Sequence, residues 1–214
     1  NYQRMFADSD FWHSLQVSVT YTVGSVLLTF LLGFAAALVL SRSNPINPIA
    51  RVLTLLPWAT PVVAGSLTWS IMFDYDSGIV NQMLSWLPWH PQAVPWLIDP
   101  SISIWAVILV DAWHTFPLAM LLLLAGLQGI PRDLYESASV DGARPVQQFL
   151  YITLPSIAPI SNVVLLLLAV WAFRRFEVVY LLARGGPGDW TMTLIMEAFD
   201  GELRYYEVRA SSTL

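Results

Sequence analysis

The stretch Glu136–Pro155, ESASVDGARPVQQFLYITLP, lies between two apolar runs, Ser101–Ile130 and Ile152–Phe173. Each run reaches the ~20 residues that a helix needs to cross the ~30 Å hydrocarbon core of a bilayer. A polar stretch of this length between two such runs predicts a short connection held at a membrane surface. We therefore interpret the other long apolar segments of the chain as further membrane-crossing helices.

The composition of the whole chain also indicates a membrane protein. Hydrophobic residues make up 56% of the chain and charged residues 12%, whereas about a quarter of a typical soluble domain is charged. In hydrocarbon, backbone polar groups must be satisfied within their own segment, so apolar runs of this length predict helices. The predicted fold class is all-α, a polytopic transmembrane helical bundle. Four runs without Asp, Glu, Lys or Arg support it: Ser14–Ser41, Val52–Phe73, Ala112–Pro131 and Pro145–Phe173.

Prolines fall inside two of the expected helices, and some apolar stretches are too short to be membrane spans. Pro57 and Pro61 fall inside the second predicted helix, and Pro117 falls inside the third. The apolar stretch Ile79–Leu87 is too short to span a bilayer, and we expect it to lie along a membrane surface. Thr191–Phe199 is expected to start another helix or a surface segment. The four long helices are predicted near Phe11–Leu40, Ile49–Phe73, Ser101–Leu127 and Pro155–Leu182.

The distribution of arginine predicts the orientation. The loop Arg42–Arg51 has two Arg and no acid, whereas Asp74–Pro100 has three Asp and no Arg. Because cytoplasmic loops are enriched in Arg and Lys, the first loop is predicted to be cytoplasmic and the second external. One further crossing puts Arg132–Arg144 in the cytoplasm. The region Arg174–Arg209 carries five Arg with six acids and does not fit this pattern.

Several classes of function are excluded or disfavoured by what the chain lacks. Without cysteine there is no disulfide and no cysteine-based metal site, and we predict no metal site of other composition. The net charge of −5 without a basic cluster argues against nucleic acid as a partner. The sequence has no G-x-x-x-x-G-K-[ST] motif and no lysine at all, so no phosphate-binding loop for a nucleotide is predicted.

Ionisable residues inside predicted spans are candidate functional residues, because charge in a bilayer is costly and usually faces the bundle interior. Asp111 and His114 lie three residues apart on one helix face. They either line a solute path or form a structural Asp–His hydrogen bond. On the predicted fourth helix Glu177 can pair with Arg174, three residues before it. Arg175 points elsewhere and is left for solute hydroxyls or for a loop of a binding protein.

Aromatic residues in or near the ends of the spans suggest a type of solute. Sugars present apolar C–H faces that stack on aromatic rings, while their hydroxyls pair with polar side chains. An aromatic belt at the membrane interface explains the same residues without any solute. Both interpretations remain open for Trp58, Trp69 and Trp171.

The spacing within the opening stretch resembles the "EAA" loop of binding-protein-dependent ABC importer permeases. That pattern is E-A-A, three residues, Gly, nine residues and I-x-L-P, and Ser137 replaces one Ala here. The resemblance implies that residues 132–155 are a cytoplasmic coupling loop, whose short helix docks on an ATP-hydrolysing subunit. Gly142 is expected to permit a positive-φ turn or a close backbone approach. The residues that match are Glu136, Ser137, Ala138, Gly142, Ile152, Leu154 and Pro155.

A second stretch, FRRFEVVYLLARGGPGDWTMTLIMEAF at Phe173–Phe199, is similar to permeases of carbohydrate importers of the maltose and glycerol-phosphate type. Glu177 stands where Asp is usual in that pattern, and Ala183 where Thr is usual. The resemblance implies a type I ABC importer permease fold and a sugar or related solute. The residues expected along the solute path are Trp58, Trp69, Asp111, His114, Trp171, Arg175, Glu177 and Tyr180.

The same resemblance implies a multi-pass protein of the plasma or inner membrane that performs no chemistry and binds no cofactor. Its implied partners are a second permease subunit, an extracytoplasmic solute-binding protein and two ATP-binding subunits that use ATP and Mg. Residues 1–214 are expected to be one transmembrane permease domain that lacks a first and a last helix. The alternatives are an ion-coupled secondary transporter that uses Asp111 and a membrane enzyme built on Asp111 and His114.

Overall fold

The computed structural model describes residue 6 and residues 8–41, 47–88 and 92–201 of this chain. The described residues form helices and no strands, which confirms the all-α fold class. Residues 194–201 are also helical, and a π-helix at Phe149–Thr153 joins α8 to α9. The helices are α1 Ser9–Ser41, α2 Asn47–Thr54, α3 Leu56–Ala59, α4 Val62–Met72, α5 Ile79–Ser85, α6 Pro100–Gln128, α7 Arg132–Val140, α8 Pro145–Gln148, α9 Leu154–Phe173 and α10 Glu177–Ala183.

Three helical segments are long and apolar enough to cross a membrane: α1, α6 and the continuous run Pro145–Phe173. The bounds of α1 and α6 lie within two residues of the predicted ones. In α6, 67% of the most apolar window is buried, against 33% in α1 and 28% in Pro145–Phe173. Among the described spans α6 is thus the most enclosed, and in the other two most of the apolar window lies at the surface of this chain.

The predicted second helix, Ile49–Phe73, is wrong as a single element, because α2, α3 and α4 divide it. Proline has no N–H to donate, and its ring clashes with the carbonyl four residues before it. Thr60 precedes Pro61 and is extended, with φ −75° and ψ 132°, as the residue before a proline tends to be. Because α4 has only 11 residues, this part of the chain does not cross as one straight helix.

The predicted fourth helix also differs, because α9 ends at Phe173 and α10 begins at Glu177. Arg174 and Arg175 donate their N–H groups to carbonyls three residues back, at 3.2 and 3.0 Å, a tightening common at helix ends. Arg174 and Glu177 are exposed and form no ion pair with each other. Their predicted pairing on one helix face was wrong, since the helix on which it depended is interrupted between them.

The chain packs as two compact units, and α1 and α6 contribute residues to both. Unit 2 comprises Val26–Thr60 and Ala112–Val170. A Cβ added at Gly33 would lie 2.8 Å from the Cβ of Ala119, so this glycine lets two membrane helices approach closely. The core of unit 2 is formed by Ala37, Leu40, Ala119, Met120, Leu123, Leu124, Ile157, Val164 and Leu168.

Unit 1 comprises Asn1–Ser25, Pro61–Asp111 and Trp171–Leu214. The buried amide of Asn81 organises the connection between α5 and α6. Its Nδ2 donates to the carbonyls of Tyr75 and Val94 at 3.2 and 3.1 Å, and its Oδ1 accepts from the Trp96 indole at 3.0 Å. Oδ1 also accepts the N–H of Val94 at 3.1 Å. Because the Nδ2 donors and the Oδ1 acceptor of Asn81 are all hydrogen-bonded, this one side chain fixes the connection.

Two aspartates flank this connection, and serines next to them hold both in the charged form. The Ser77 hydroxyl, followed by its backbone N–H, lowers the pKa of the Asp74 carboxyl. The Ser101 hydroxyl and N–H lower the pKa of Asp99 in the same way, and Asp99 immediately precedes the first residue of α6. Both side chains therefore stay negative over a wider range of pH than free aspartate.

Candidate functional site

The predicted coupling residues begin on α7 and continue into the next span. Glu136 and Ser137 are exposed on α7, whereas Ala138 is partly buried. Ile152 lies in the π-helix, and Leu154 and Pro155 are the first residues of α9. Pro145–Pro155 is already part of the continuous helical run Pro145–Phe173.

Gly142 ends α7 in a left-handed conformation, with φ +79°. Its N–H donates to the Ser139 carbonyl at 3.1 Å, and the N–H of Ala143 donates to the Ala138 carbonyl at 2.8 Å. These two bonds form a Schellman motif, which satisfies carbonyls at a helix end. A Cβ at Gly142 would meet nothing within 4 Å. The positive-φ turn is thus confirmed, whereas a close backbone approach is not found among the described residues.

Two side-chain hydrogen bonds join α7 and its turn to the start of the following span. The hydroxyls of Tyr135 and Thr153 lie 3.0 Å apart. Gln148 Nε2 donates to the Ser139 hydroxyl at 3.0 Å. Pro155 has no N–H to donate, and its ring crowds the carbonyl four residues before it. The wider π-helical turn directly precedes α9. The two side-chain hydrogen bonds tie α7 to this start of the span.

Large apolar side chains on and beside this connection are exposed, although its other residues are mostly polar. Val140 is 88% exposed and Tyr151 is 76% exposed. Leu134, Val146 and Leu150 are exposed as well. Apolar groups exposed next to polar ones are typical of an interaction surface.

A second polar cluster lies in unit 1, where Arg175 Nε is 3.0 Å from Asp111 Oδ1. The side chain of Asp111 is 3% exposed and that of Arg175 17%. The two atoms are close enough for an ion pair but are not aligned for a hydrogen bond, so their attraction is mainly coulombic. Arg175 lies in the break between α9 and α10, and Asp111 lies in α6. The structure thus gives Arg175 an internal partner that the sequence did not predict.

Tyr21 and Ser25 belong to the same cluster and were missed at the level of sequence. The Tyr21 hydroxyl lies beside the Asp111 carboxylate and the Ser25 hydroxyl. Tyr21 Oη and Ser25 Oγ are both buried, and neither has a well-aligned hydrogen bond to a described residue. Most buried polar groups are hydrogen-bonded to protein or to ordered water, so these two hydroxyls retain hydrogen-bonding capacity.

The sequence of the first span contains a spacing of polar residues that could have identified Tyr21 and Ser25 as buried. Ser14, Ser18, Tyr21 and Ser25 recur at spacings of four, three and four residues, which places them on one helix face. All four are buried. Ser18 Oγ accepts the N–H of Leu194 at 2.8 Å, so this face also anchors the helical residues 194–201. A polar stripe on a membrane helix predicts the face directed to the protein interior.

His114 lies in unit 2, where its Nε2 is 3.1 Å from the carbonyl oxygen of Thr60. That carbonyl belongs to the residue before Pro61, at the break between α3 and α4. The Asp–His hydrogen bond considered above was wrong, because Asp111 pairs with Arg175 instead. Trp58, in α3, is 47% exposed.

The remaining predicted path residues lie in unit 1. The ring of Trp69 packs against Phe73, with centroids 5.1 Å apart. Tyr180 stacks on Phe176 at 5.1 Å and meets Phe199 edge-on at 6.0 Å. Phe176 and Phe199 are 4.9 Å apart, so three rings form a cluster of which the sequence predicted only Tyr180. Trp171 and Glu177 are exposed.

Comparison with known proteins identifies the family of this chain. A family model described as "Binding-protein-dependent transport system inner membrane component" matches residues 29–210. The chain belongs to this family. It is accordingly a multi-pass protein of the inner membrane and a transport subunit of an ABC importer. The family decides against the ion-coupled secondary transporter and the membrane enzyme.

Curated relatives in this family carry names of sugar transport systems. "Trehalose/maltose transport system permease protein MalF" of Thermococcus litoralis is 40% identical over 200 residues, which cover 94% of this chain and 67% of that protein. "Sulfoquinovosyl glycerol transport system permease protein SmoG" of Agrobacterium fabrum is 33% identical over 214 residues, covering 100% and 69%. This family member thus spans about two thirds of the length of these relatives.

Solved structures show the same fold. A bacterial ABC transporter involved in import of the acidic polysaccharide alginate matches with a TM-score of 0.84 and 24% identity, over 96% of this chain and 72% of that one. A bacterial alginate ABC transporter in complex with an alginate pentasaccharide-bound periplasmic protein matches with a TM-score of 0.77 and 26% identity, over 89% and 66%. The predicted ABC importer permease fold is thereby confirmed.

Proposed function

We propose that this permease forms part of the translocation path for a sugar or related polyhydroxylated solute, which an extracytoplasmic binding protein delivers. The observation that carries the proposal is the buried polar cluster of unit 1. There, the ion pair of Asp111 and Arg175 lies beside the buried hydroxyls of Tyr21 and Ser25. Sugar hydroxyls both donate and accept hydrogen bonds, so they suit charged and hydroxyl groups together.

The aromatic cluster of unit 1 adds the second component of sugar recognition. Tyr180 is 37% exposed and Phe199 39% exposed, so both rings retain open surface while they contact Phe176. An apolar sugar face can lie on such rings while its hydroxyls reach polar side chains. The names of MalF and SmoG, which refer to sugars or sugar derivatives, favour the same class of solute.

The coupling role is assigned to α7 and the turn at Gly142. In this proposal, α7 docks on an ATP-binding subunit through Glu136, Ser137 and Ala138, and the exposed Val140 adds apolar contact. Ile152, Leu154 and Pro155 receive the motion at the start of the next span. ATP and Mg are bound by two such partner subunits, and a second permease subunit completes the path.

A solute-dependent ATPase assay tests the proposal. The transporter complex is purified with its partner subunits, reconstituted in liposomes and given its binding protein with maltose, trehalose or no sugar. We expect a sugar delivered by the binding protein to stimulate ATP hydrolysis and to enter the liposomes. Uptake that follows an ion gradient and needs no ATP would contradict the proposal. A complex that responds to the binding protein only with a non-carbohydrate solute would contradict the sugar assignment alone.

Labelling of single cysteines tests the proposed orientation, and the absence of native cysteine makes the labelling unambiguous. Ser77, in the acidic connection, and Asp141, at the end of α7, are both exposed. In whole cells, Ser77→Cys should react with a membrane-impermeant thiol reagent and Asp141→Cys should not, whereas both should react after permeabilisation. The reverse result would put α7 on the side of the membrane opposite to any ATP-binding subunit.

A further inference from the structure

Unit 2 contains a cavity of about 1080 Å³ near the ends of its membrane spans. Leu38 lines it from α1, Leu127 from α6 and Phe149 from the start of the run Pro145–Phe173. Tyr135 of α7 also lines the cavity. The volume is at the upper end of that of typical small-molecule sites, ~300–1,000 Å³. The cavity can therefore hold an organic group larger than a simple ion.

The charged groups around this cavity are all positive among the described residues that line it. Arg51 and Arg132 line the cavity, and no Asp or Glu is present among those residues. Arg51 Nη2 donates to the Leu40 carbonyl at 2.8 Å, which holds the guanidinium in place. The Nε of Arg51 is buried and has no hydrogen-bond partner in the described part of the chain. Guanidinium groups form charge-assisted hydrogen bonds with carboxylates and phosphates, so two arginines without an acidic residue beside them favour an anion such as a phosphate.

The position of the cavity indicates the source of that phosphate. The apolar residues Leu38 and Leu127 belong to the last turn or two of their spans, whereas Arg132 and Tyr135 belong to the connection beyond them. The wall is thus apolar on the side of the spans and basic on the side of the connection. Basic pockets between membrane helices, near the ends of the spans, are typical sites for anionic lipid headgroups.

We propose that this cavity binds the phosphate headgroup of an anionic phospholipid, in the leaflet on the side of α7. Arg51 and Arg132 contact the phosphate, and the Gln128 amide is placed to contact the glycerol or headgroup hydroxyls. Leu38 and Leu127 flank the first part of the acyl chains. Because α7 carries the proposed coupling residues, a lipid here links the coupling connection to the surrounding membrane.

Native mass spectrometry of the delipidated transporter complex tests this proposal. The complex is titrated with dioleoyl-phosphatidylglycerol and, separately, with dioleoyl-phosphatidylcholine. We expect tighter binding of the anionic lipid, weakened about fivefold by Arg51→Gln and about fivefold by Arg132→Gln, since each arginine near a membrane surface contributes about that factor. Arg132 is exposed on α7, so its replacement leaves the fold intact even if Arg51→Gln does not.

Arg144→Gln is the matched control, because Arg144 belongs to the same connection but does not line the cavity. Its phosphatidylglycerol binding should equal that of the wild type. Equal weakening by Arg144→Gln and Arg132→Gln would show only general attraction of the lipid to a basic surface, and would overturn the site. Displacement of the lipid by millimolar inorganic phosphate would assign the cavity to free phosphate instead. Equal affinity for the two lipids would show that the arginines do not select an anionic headgroup, and would also refute the proposal.

Discussion

Arg175→Ala is expected to destabilise the permease and to abolish most transport. The substitution leaves the carboxylate of Asp111, which is 2% exposed, buried without its cationic partner. Removing one partner of a buried ion pair typically costs about 3–5 kcal/mol, mainly because the remaining charge is desolvated and uncompensated. Thermal unfolding of the purified complex and sugar uptake in reconstituted liposomes measure the two effects.

A second substitution separates stability from recognition. Asp111→Asn combined with Arg175→Gln removes both charges at similar size, and we expect most of the lost stability to return. If the pair also contacts the solute, the double variant is stable but still takes up sugar poorly, and its basal ATP hydrolysis is kept. Normal stability and uptake in the single variant Arg175→Ala would show that the ion pair contributes to neither stability nor transport. Arg175 would then no longer be counted among the residues of the proposed solute path.

Gly142→Asp is expected to reduce transport sharply while the protein still reaches the membrane. At φ +79° any residue with a Cβ is strained, by roughly 1–2 kcal/mol for most side chains. Because a Cβ there meets nothing within 4 Å, no clash with the described part of the chain adds to the strain. The larger effect is the new carboxylate on the proposed docking surface. Uptake should fall on the order of tenfold or more, which corresponds to about 1.4 kcal/mol or more of docking free energy.

Gly142→Asn is the matched control for this experiment. Asn has the shape of Asp without its charge, and both tolerate the left-handed region better than other residues do. The Asn variant should therefore transport nearly as well as the wild type and couple to ATP hydrolysis normally. Equal loss in the two variants would assign the effect to the backbone turn, and normal transport by the Asp variant would remove the main support for docking at this turn.

The bounds of two spanning helices, α1 and α6, were available from the sequence, because they depend on local properties. A helix in hydrocarbon satisfies its own backbone, so length and hydropathy define it. This is why α1 and α6 were placed within two residues of their bounds. The turn at Gly142 was predictable for the same reason, since a glycine after a short helix is itself the signal for a positive-φ helix end.

The breaks within the predicted second helix were harder to predict, although the prolines at these breaks are evident in the sequence. Pro57 and Pro61 were noted inside an apolar run, and membrane helices often tolerate proline when a neighbour satisfies the freed carbonyl. In the structure the chain is interrupted before Pro61 instead of bending, and His114 contacts the carbonyl of Thr60 at that break. A sequence window does not show whether such a neighbour will be present at the break.

The buried polar cluster of unit 1 shows most clearly what the sequence alone does not determine. The sequence by itself determined that Asp111 and Arg175 are costly in a membrane and must find partners, because desolvation of a charge is a property of the residue. Only the tertiary structure decided that they pair with each other beside Tyr21. Pairing depends on which faces of α1 and α6 meet and on where the chain breaks after Phe173. Those contacts join residues up to 154 positions apart along the chain, from Tyr21 to Arg175, and no local pattern encodes that separation.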